Sequence, residues 1–275
     1  MTAQDFASLR VDKAGGVGHV VLKNGDKGNL MGMPFFLEVP QAFETLDADP
    51  EVRVILLRSE GKAFTYGLDL MGMAGELGPF ITGDNQAASR TKLLRLIEKL
   101  QHSFNAIAAC TKPVIAAIQR QCIGGGLDMI AACDIRICSA DAMFSLRETR
   151  MGIVADLGSL QRLPSIIGDG YARELAFTGR DVDAEEALRC GLVTRVLPSH
   201  EALIVEAEKM AEQIASNPPL VVQGTKQVMD FSRGKPVSAG LDYVAAWNAA
   251  FLQSEDFREA IEAFMQKRAP KFVGR

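Results

Sequence analysis

KPVIAAIQRQCIGGGLDMIAACDIRICSADAMFSLRETRMGIVAD, residues 112–156, brings together a triple glycine, the acids Asp128, Glu148 and Asp156, and the strand and turn signals needed to present them. Residues 113–118 are a short apolar run entered through Pro113, which suits a buried strand. Residues 119–123 lead into Gly124-Gly125-Gly126, and the apolar run 127–133 reads as a helix with the glycines at its N-terminus. Chain without Cβ lets a ligand approach N–H groups that a helix start leaves unpaired, the makings of an anion or oxyanion site. Taken alone, the triplet reads better as a plain turn between strand and helix.

The acids that follow shift the balance. Singly, each has an ordinary account. Asp128 in the first helical turn complements the helix dipole, Glu148 is a solvated loop charge beside Arg147 and Arg150, and Asp156 caps a helix starting near Gly158. Yet Asp156 ends a mostly apolar run that heads for the interior. With the glycines, the spacing points to a carboxylate cluster facing an oxyanion hole.

Upstream, residues 17–23 alternate into an apolar strand closed by the turn signal Asn24-Gly25-Asp26. Residues 34–46 have helical spacing with Pro34 suited to the first turn, and 52–58 are a second buried strand. Strand, helix, strand in that order argues for crossover units and an α/β fold. Residues 71–87 are rich in glycine and methionine without steady periodicity. Residues 88–109 read as one amphipathic helix, with Leu93, Leu94, Leu96, Ile97, Leu100, Phe104 and Ile107 on or near one stripe.

Downstream, 158–167, 171–177 and 184–190 are helical and 192–196 is a short strand. An amphipathic helix at 200–216 is closed by Asn217-Pro218-Pro219, the best candidate boundary in the chain. Three further helices, 220–231, 237–253 and 256–267, have apolar faces and no strand to pack on. They must bury those faces on the main body or on another subunit.

At 275 residues and 48% hydrophobic, the chain can bury a sizeable core without disulfides or metals, as one large domain with a helical extension or as two small ones. Its 30 Lys and Arg against 34 Asp and Glu give a net charge of -4 with no long basic run, which disfavours a nucleic-acid partner. Cys110, Cys122, Cys133, Cys138 and Cys190 form no C-x-x-C pair, which suggests free thiols in a reducing compartment. His19, His102 and His200 are scattered, so neither a zinc site nor a histidine-based triad is expected. The first residues lack a signal-peptide pattern, no uncharged stretch is long enough for a bilayer, and FVGR is not the S-K-L address. A soluble, cytoplasmic protein with no membrane partner is expected.

Two stretches carry a resemblance. GGGLDMIAACDIRIC at 124–138 and AFTYGLDL at 63–70 resemble signatures of the crotonase, or enoyl-CoA hydratase/isomerase, family, and the likeness runs to the closing AFMQKRAPKFVGR. It implies an α/β, crotonase-like spiral of ββα units with a C-terminal helical oligomerisation region. Residues 1–199 would be the core with the active site and 200–275 the trimerisation region, in a homotrimer or a dimer of trimers. The implied partner is an acyl-CoA thioester, with no cofactor, since coenzyme A is part of the substrate.

Residue by residue, the resemblance puts the oxyanion-hole N–H donors at Leu68 and Gly125. It puts Ala63, Tyr66, Gly67, Asp69, Met71 and Gly124 at substrate-binding positions, with Lys27 or Lys23 as the basic contact to the CoA phosphates. Asp69 also suits holding its loop by hydrogen bonds. Met73 and Phe80 join Met71 as pocket-lining candidates, and Arg162 in the Q-R-L motif is expected as a structural ion-pair partner. The basic end, Lys267, Arg268, Lys271 and Arg275, either meets CoA phosphates across a subunit boundary or is solvated.

Acids at all three matched positions resemble the dienoyl-CoA isomerases of the family, whereas its hydratases carry glutamates matching Asp128 and Glu148 and a glycine matching Asp156. The implied reaction is a 3,5- to 2,4-dienoyl-CoA shift in unsaturated fatty acid degradation. Glu148 would be base at C2, Asp156 acid at C6, with these two roles exchangeable, and Asp128 would orient or tune the pair. Two other readings stand beside it: a 2-enoyl-CoA hydratase and a non-catalytic acyl-CoA-binding protein.

Overall fold

The computed structural model describes residues 4–83 and 87–275. Its strands are β1 (Gln4–Asp5), β2 (Leu9–Ala14), β3 (Val17–Leu22), β4 (Val54–Ser59), β5 (Val114–Ile118), β6 (Gln121–Ile123), β7 (Ile135–Ser139), β8 (Met143–Ser145), β9 (Asp181–Asp183) and β10 (Arg195–Leu197). Its helices are α1 (Met33–Ala48), α2 (Ala74–Thr82), α3 (Ala87–Ala109), α4 (Gly125–Ala131), α5 (Ser159–Ile167), α6 (Asp169–Thr178), α7 (Ala184–Arg189), α8 (His200–Ala215), α9 (Pro219–Ser232), α10 (Val237–Phe251) and α11 (Glu255–Gln266).

A seven-stranded sheet runs in the order β1-β2-β3-β4-β5-β7-β10, and a three-stranded sheet in the order β6-β8-β9. The β1–β2 and β2–β3 pairs are antiparallel, and the large sheet is parallel from β3 onward. Its central strands are apolar on both faces because helices cover both. Alternate residues therefore divide between two cores. Ile55, Leu57, Val114, Ala116 and Ile118 join the larger cluster with Phe35, Phe43 and Phe104, while Val54, Leu56, Ile115 and Ala117 face α8.

After β5 the chain turns at Arg120, whose φ is +49°, and enters β6 of the small sheet. After β7 it steps the same way into β8. Each step ends in helix, α4 in the first case and α5 in the second, so the expected ββα spiral is present. The steps carry the Gly124–Gly126 turn and Glu148 to the same end of the small sheet, since Ile123 pairs with Ser145.

Leu203, Ala207, Met210, Ala211 and Ala215 of α8 lie on one stripe, and all are buried against the large sheet. A division at residues 199 and 200 thus separates this helix from the sheet it covers. The chain leaves the sheet at Pro218-Pro219, where the sequence break is strongest. From there α9 and α10 pack on each other, and Lys226 of α9 ties the pair back to Asp134 at 2.7 Å.

Several elements depart from expectation. The strand at Leu9–Ala14, LRVDKA, has no counterpart in the sequence reading. Within 71–87, where periodicity is poor, α2 forms, and residues 84–86 of that stretch lie outside the described residues, as do residues 1–3. The strand expected over 192–196 falls at Arg195–Leu197, because Leu192 and Val193 are spent on packing the end of α7 into the core. No helix among the described residues is long and apolar enough to cross a membrane.

Candidate active site

Two loops meet at the Gly124–Gly126 turn. Thr65 and Cys122 form an isolated parallel bridge, with Thr65 N–H on the Gln121 carbonyl at 2.9 Å and Ile123 N–H on the Thr65 carbonyl at 3.1 Å. Gly67, at φ +88°, sits so close that a Cβ there would stand 2.7 Å from the Ile123 carbonyl oxygen and 3.6 Å from the Gly125 nitrogen. The segments carrying Leu68 and Gly125 are therefore side by side.

Peptide planarity fixes where the two N–H groups point. The Gly67 carbonyl accepts from Met31 N–H at 2.9 Å, which turns Leu68 N–H the opposite way. The Gly124 carbonyl accepts from Leu127 N–H at 2.7 Å inside α4, which turns Gly125 N–H outward. Among the described residues neither N–H has an acceptor in the protein.

Glu148 opens the turn Glu148–Met151 after β8. Gly124 has φ +53°, and a Cβ on it would stand 3.1 Å from Glu148 Oε1, so the carboxyl lies directly over the glycine turn. Its Oε2 is buried without a hydrogen-bond partner. Burial, then the nearby charges of Asp128 and Asp156, pushes Glu148 up to about 7.

Asp128 is 1% exposed, in the first turn of α4. Its Oδ1 accepts the N–H of Ser159, the first residue of α5, at 2.6 Å. Burial raises Asp128 to about 6 against the lowering effect of that bond. Asp156 is half-buried, its backbone carbonyl held by Gln101 Nε2 of α3 at 2.7 Å, and burial raises its carboxyl as well. Asp128 feels the charge of Asp156, and Glu148 feels the charges of both Asp128 and Asp156, so the three acids share one neighbourhood.

The remaining expected positions divide. Ala63 is buried, its carbonyl accepting from Asn29 Nδ2 at 3.1 Å and Ser59 Oγ at 3.2 Å. Tyr66 is half-exposed with its ring against Gly28, and Lys27 is exposed on the adjoining turn. Asp69 turns back on its own loop, accepting Gly72 N–H at 2.7 Å. Met71 is 88% exposed, Phe80 is half-buried, and Met73 is wholly buried in the core, so Met73 does not line an open pocket. Arg162 hydrogen-bonds Asn105 Oδ1 at 2.7 Å and the Leu157 carbonyl at 3.4 Å; no ion pair of the described residues includes it, and its charge reaches Asp128 only at a distance.

Sequence reasoning passed over Met31, Gln101 and Ser159, which position the site through main-chain atoms or a long side chain. Only Ser159, following Gly158 at a helix start, left a signal. The cap expected there from Asp156 comes instead from Asp128. Among the described residues no group of three or more His, Cys, Asp or Glu is placed to hold a metal ion.

Paired main-chain donors beside clustered, proton-holding carboxyls define a site for moving protons next to a carbonyl. Residues 12–275 match the family described as enoyl-CoA hydratase/isomerase, and the chain belongs to that family. It is 44% identical over 273 residues to the mitochondrial Delta(3,5)-Delta(2,4)-dienoyl-CoA isomerase of Dictyostelium discoideum, covering 98% of this chain and 92% of that protein. It is likewise 44% identical to the peroxisomal Delta(3,5)-Delta(2,4)-dienoyl-CoA isomerase of Arabidopsis thaliana, covering 99% of each. Among solved structures it is similar to enoyl-CoA hydratase from Bacillus anthracis, with a TM-score of 0.87 and 31% identity over 98% of this chain and 100% of that one. The relatives' compartments, mitochondrial and peroxisomal, overturn the cytoplasmic expectation.

Proposed function

We propose that this protein is a dienoyl-CoA isomerase, converting a 3,5-dienoyl-CoA thioester to the 2,4-dienoyl-CoA in the breakdown of unsaturated fatty acids. The observation that carries the reading is the third carboxyl, Asp156, sharing the neighbourhood of Glu148 and Asp128. Hydration needs only two acids flanking one water, whereas this shift needs an acid displaced along the chain.

The ionised Glu148 carboxylate takes the C2 proton. The C2–H electron pair enters the conjugated system, and the charge that collects on the thioester oxygen is met by the N–H groups of Leu68 and Gly125. One such donor contributes roughly a hundred- to a thousandfold in rate. Asp156 then gives a proton to C6, which leaves double bonds at C2–C3 and C4–C5. Protons taken and given balance, so the step uses no cofactor, and coenzyme A is the handle on the substrate.

Lys27, beside Tyr66, is the proposed contact to the CoA phosphates. The assembly we propose is a homotrimer or a dimer of trimers. Its support is the apolar surface left on the C-terminal helices, where Leu241, Phe251, Phe264 and Met265 are exposed. Light scattering after gel filtration tests it.

An ultraviolet time course with a 3,5-dienoyl-CoA tests the reaction, because conjugation with the thioester creates a new band. No band with purified protein refutes the proposal. Fast loss of enoyl absorbance from crotonyl-CoA instead supports a hydratase. Binding without turnover of either substrate marks an acyl-CoA binder.

A further inference from the structure

Thr65 was not among the residues singled out in the sequence, yet it contacts both segments that carry the two main-chain donors. We infer that Thr65 is a positioning residue: its hydroxyl fixes the Leu68 N–H, and its methyl and main chain seat that donor against the turn that carries the Gly125 N–H. The inference rests on the proposed oxyanion role of those two groups.

The side chain is wholly buried. Its Oγ1 donates to the Asn29 carbonyl at 2.7 Å and accepts Gly67 N–H at 3.0 Å. Gly67 is thereby pinned at both ends, by Thr65 on its N–H and by Met31 on its carbonyl at 2.9 Å. With the planar peptide between Gly67 and Leu68 so held, Leu68 N–H has little freedom to swing.

Contact with the other donor comes through the rest of the residue. The Thr65 main chain bridges to Gln121 and Ile123, immediately before the glycine turn. Its methyl faces Gly126, where an added Cβ would stand 2.4 Å from Cγ2. Thr65 therefore packs on the residue after Gly125 while bonding the residue before Leu68. Asn29 is buried in turn, and its Nδ2 bonds the Glu60 carbonyl at 2.9 Å and the Ala63 carbonyl at 3.1 Å, so the anchor for the hydroxyl is itself held.

Chemically this predicts a separation between hydroxyl and methyl. Valine keeps the shape and the Gly126 contact but leaves Gly67 N–H without an acceptor, and a buried N–H in that state draws the loop toward another partner. Serine keeps the hydroxyl and loses only the methyl. A residue serving stability alone would lower the unfolding temperature in both variants without altering how a bound carbonyl is polarised.

The test uses the full-length protein with 2,4-dienoyl-CoA, whose chromophore includes the thioester carbonyl. Two N–H donors on that oxygen shift its absorption to longer wavelength. Wild type and Thr65→Ser are expected to show the shift, with kcat within about threefold of each other. Thr65→Val is expected to lose at least half of the shift and roughly ten- to a hundredfold in kcat, part of what a missing donor costs, with KM within about threefold. Should Thr65→Val fail to fold, Thr65→Ala replaces it with the same expectation. A wild-type shift and kcat in the folded Val or Ala variant overturn the inference, and so does a Ser variant as impaired as Val. A wild-type protein that shows no shift and no turnover overturns the oxyanion reading itself, which is a different failure.

Discussion

Glu148→Gln is expected to inactivate the protein and, at neutral and alkaline pH, to stabilise it. From an ordinary value of 4.5, burial and neighbouring acids push Glu148 up to about 7. A carboxyl whose folded pKa is raised holds its proton more tightly in the folded chain than in the unfolded one. Its contribution to stability is fully present below pH 4.5 and is lost as pH rises toward about 7. At about 1.4 kcal/mol per pH unit the loss is at most about 3.5 kcal/mol. Part of the push comes from Asp156, which is only half-buried and whose charge water screens, so a difference of about 1–3 kcal/mol is expected at pH 8. Glutamine has the same shape and no charge to bury. Urea unfolding of both proteins at one protein concentration, from pH 4.5 to 8.5, reads the difference directly. The two stabilities should coincide near pH 4.5 and separate above it, the variant being the more stable. If they stay parallel throughout, or the variant is the weaker at pH 8, Glu148 is not a crowded, desolvated carboxyl and this reasoning fails.

Asp156→Asn is expected to lower the rate of the dienoyl shift by about a hundredfold or more with the Kd for 2,4-dienoyl-CoA little changed; an unaltered rate would leave Asp156 without a chemical role. With Glu148 as the base, kcat/KM should rise with pH through about 7, the value to which Glu148 is raised. A falling limb there would hand the acid role to Glu148. Gly124→Ala forces a side chain onto φ +53° and against Glu148, and should cost about 1–2 kcal/mol in thermal unfolding along with most activity. Asp256→Ala removes the carboxylate that holds Val273 N–H at 2.7 Å and Gly274 N–H at 2.9 Å, so a loss of about 1–3 kcal/mol and faster trimming of residues 268–275 by carboxypeptidase are expected.

Helix α8 was legible because its signal is complete in itself: the spacing of Leu203, Ala207 and Met210 states both the element and its buried face. The three-residue strands β6 and β9 were not, since their existence depends on β8 lying between them, and three residues carry no period. At the site, the acids and glycines were legible as residue types, whereas Met31 acts through its own N–H and carbonyl, atoms that every residue but proline offers. Asp128 shows why a residue's plain and chemical accounts need not compete. The sequence offered it as a charge for the start of its own helix or as a member of an acidic cluster. In the fold it also receives the first N–H of a different helix, α5, from within that cluster. That bond opposes the burial of Asp128. From ordinary values of 3.8 and 4.5, Asp128, with an N–H on Oδ1, rises to about 6 and Glu148, with Oε2 buried and unpartnered, to about 7, burial being the largest cause for both. A main-chain group 31 residues along the chain thus pulls Asp128 down against its own burial, from inside the cluster that Asp128 helps to crowd.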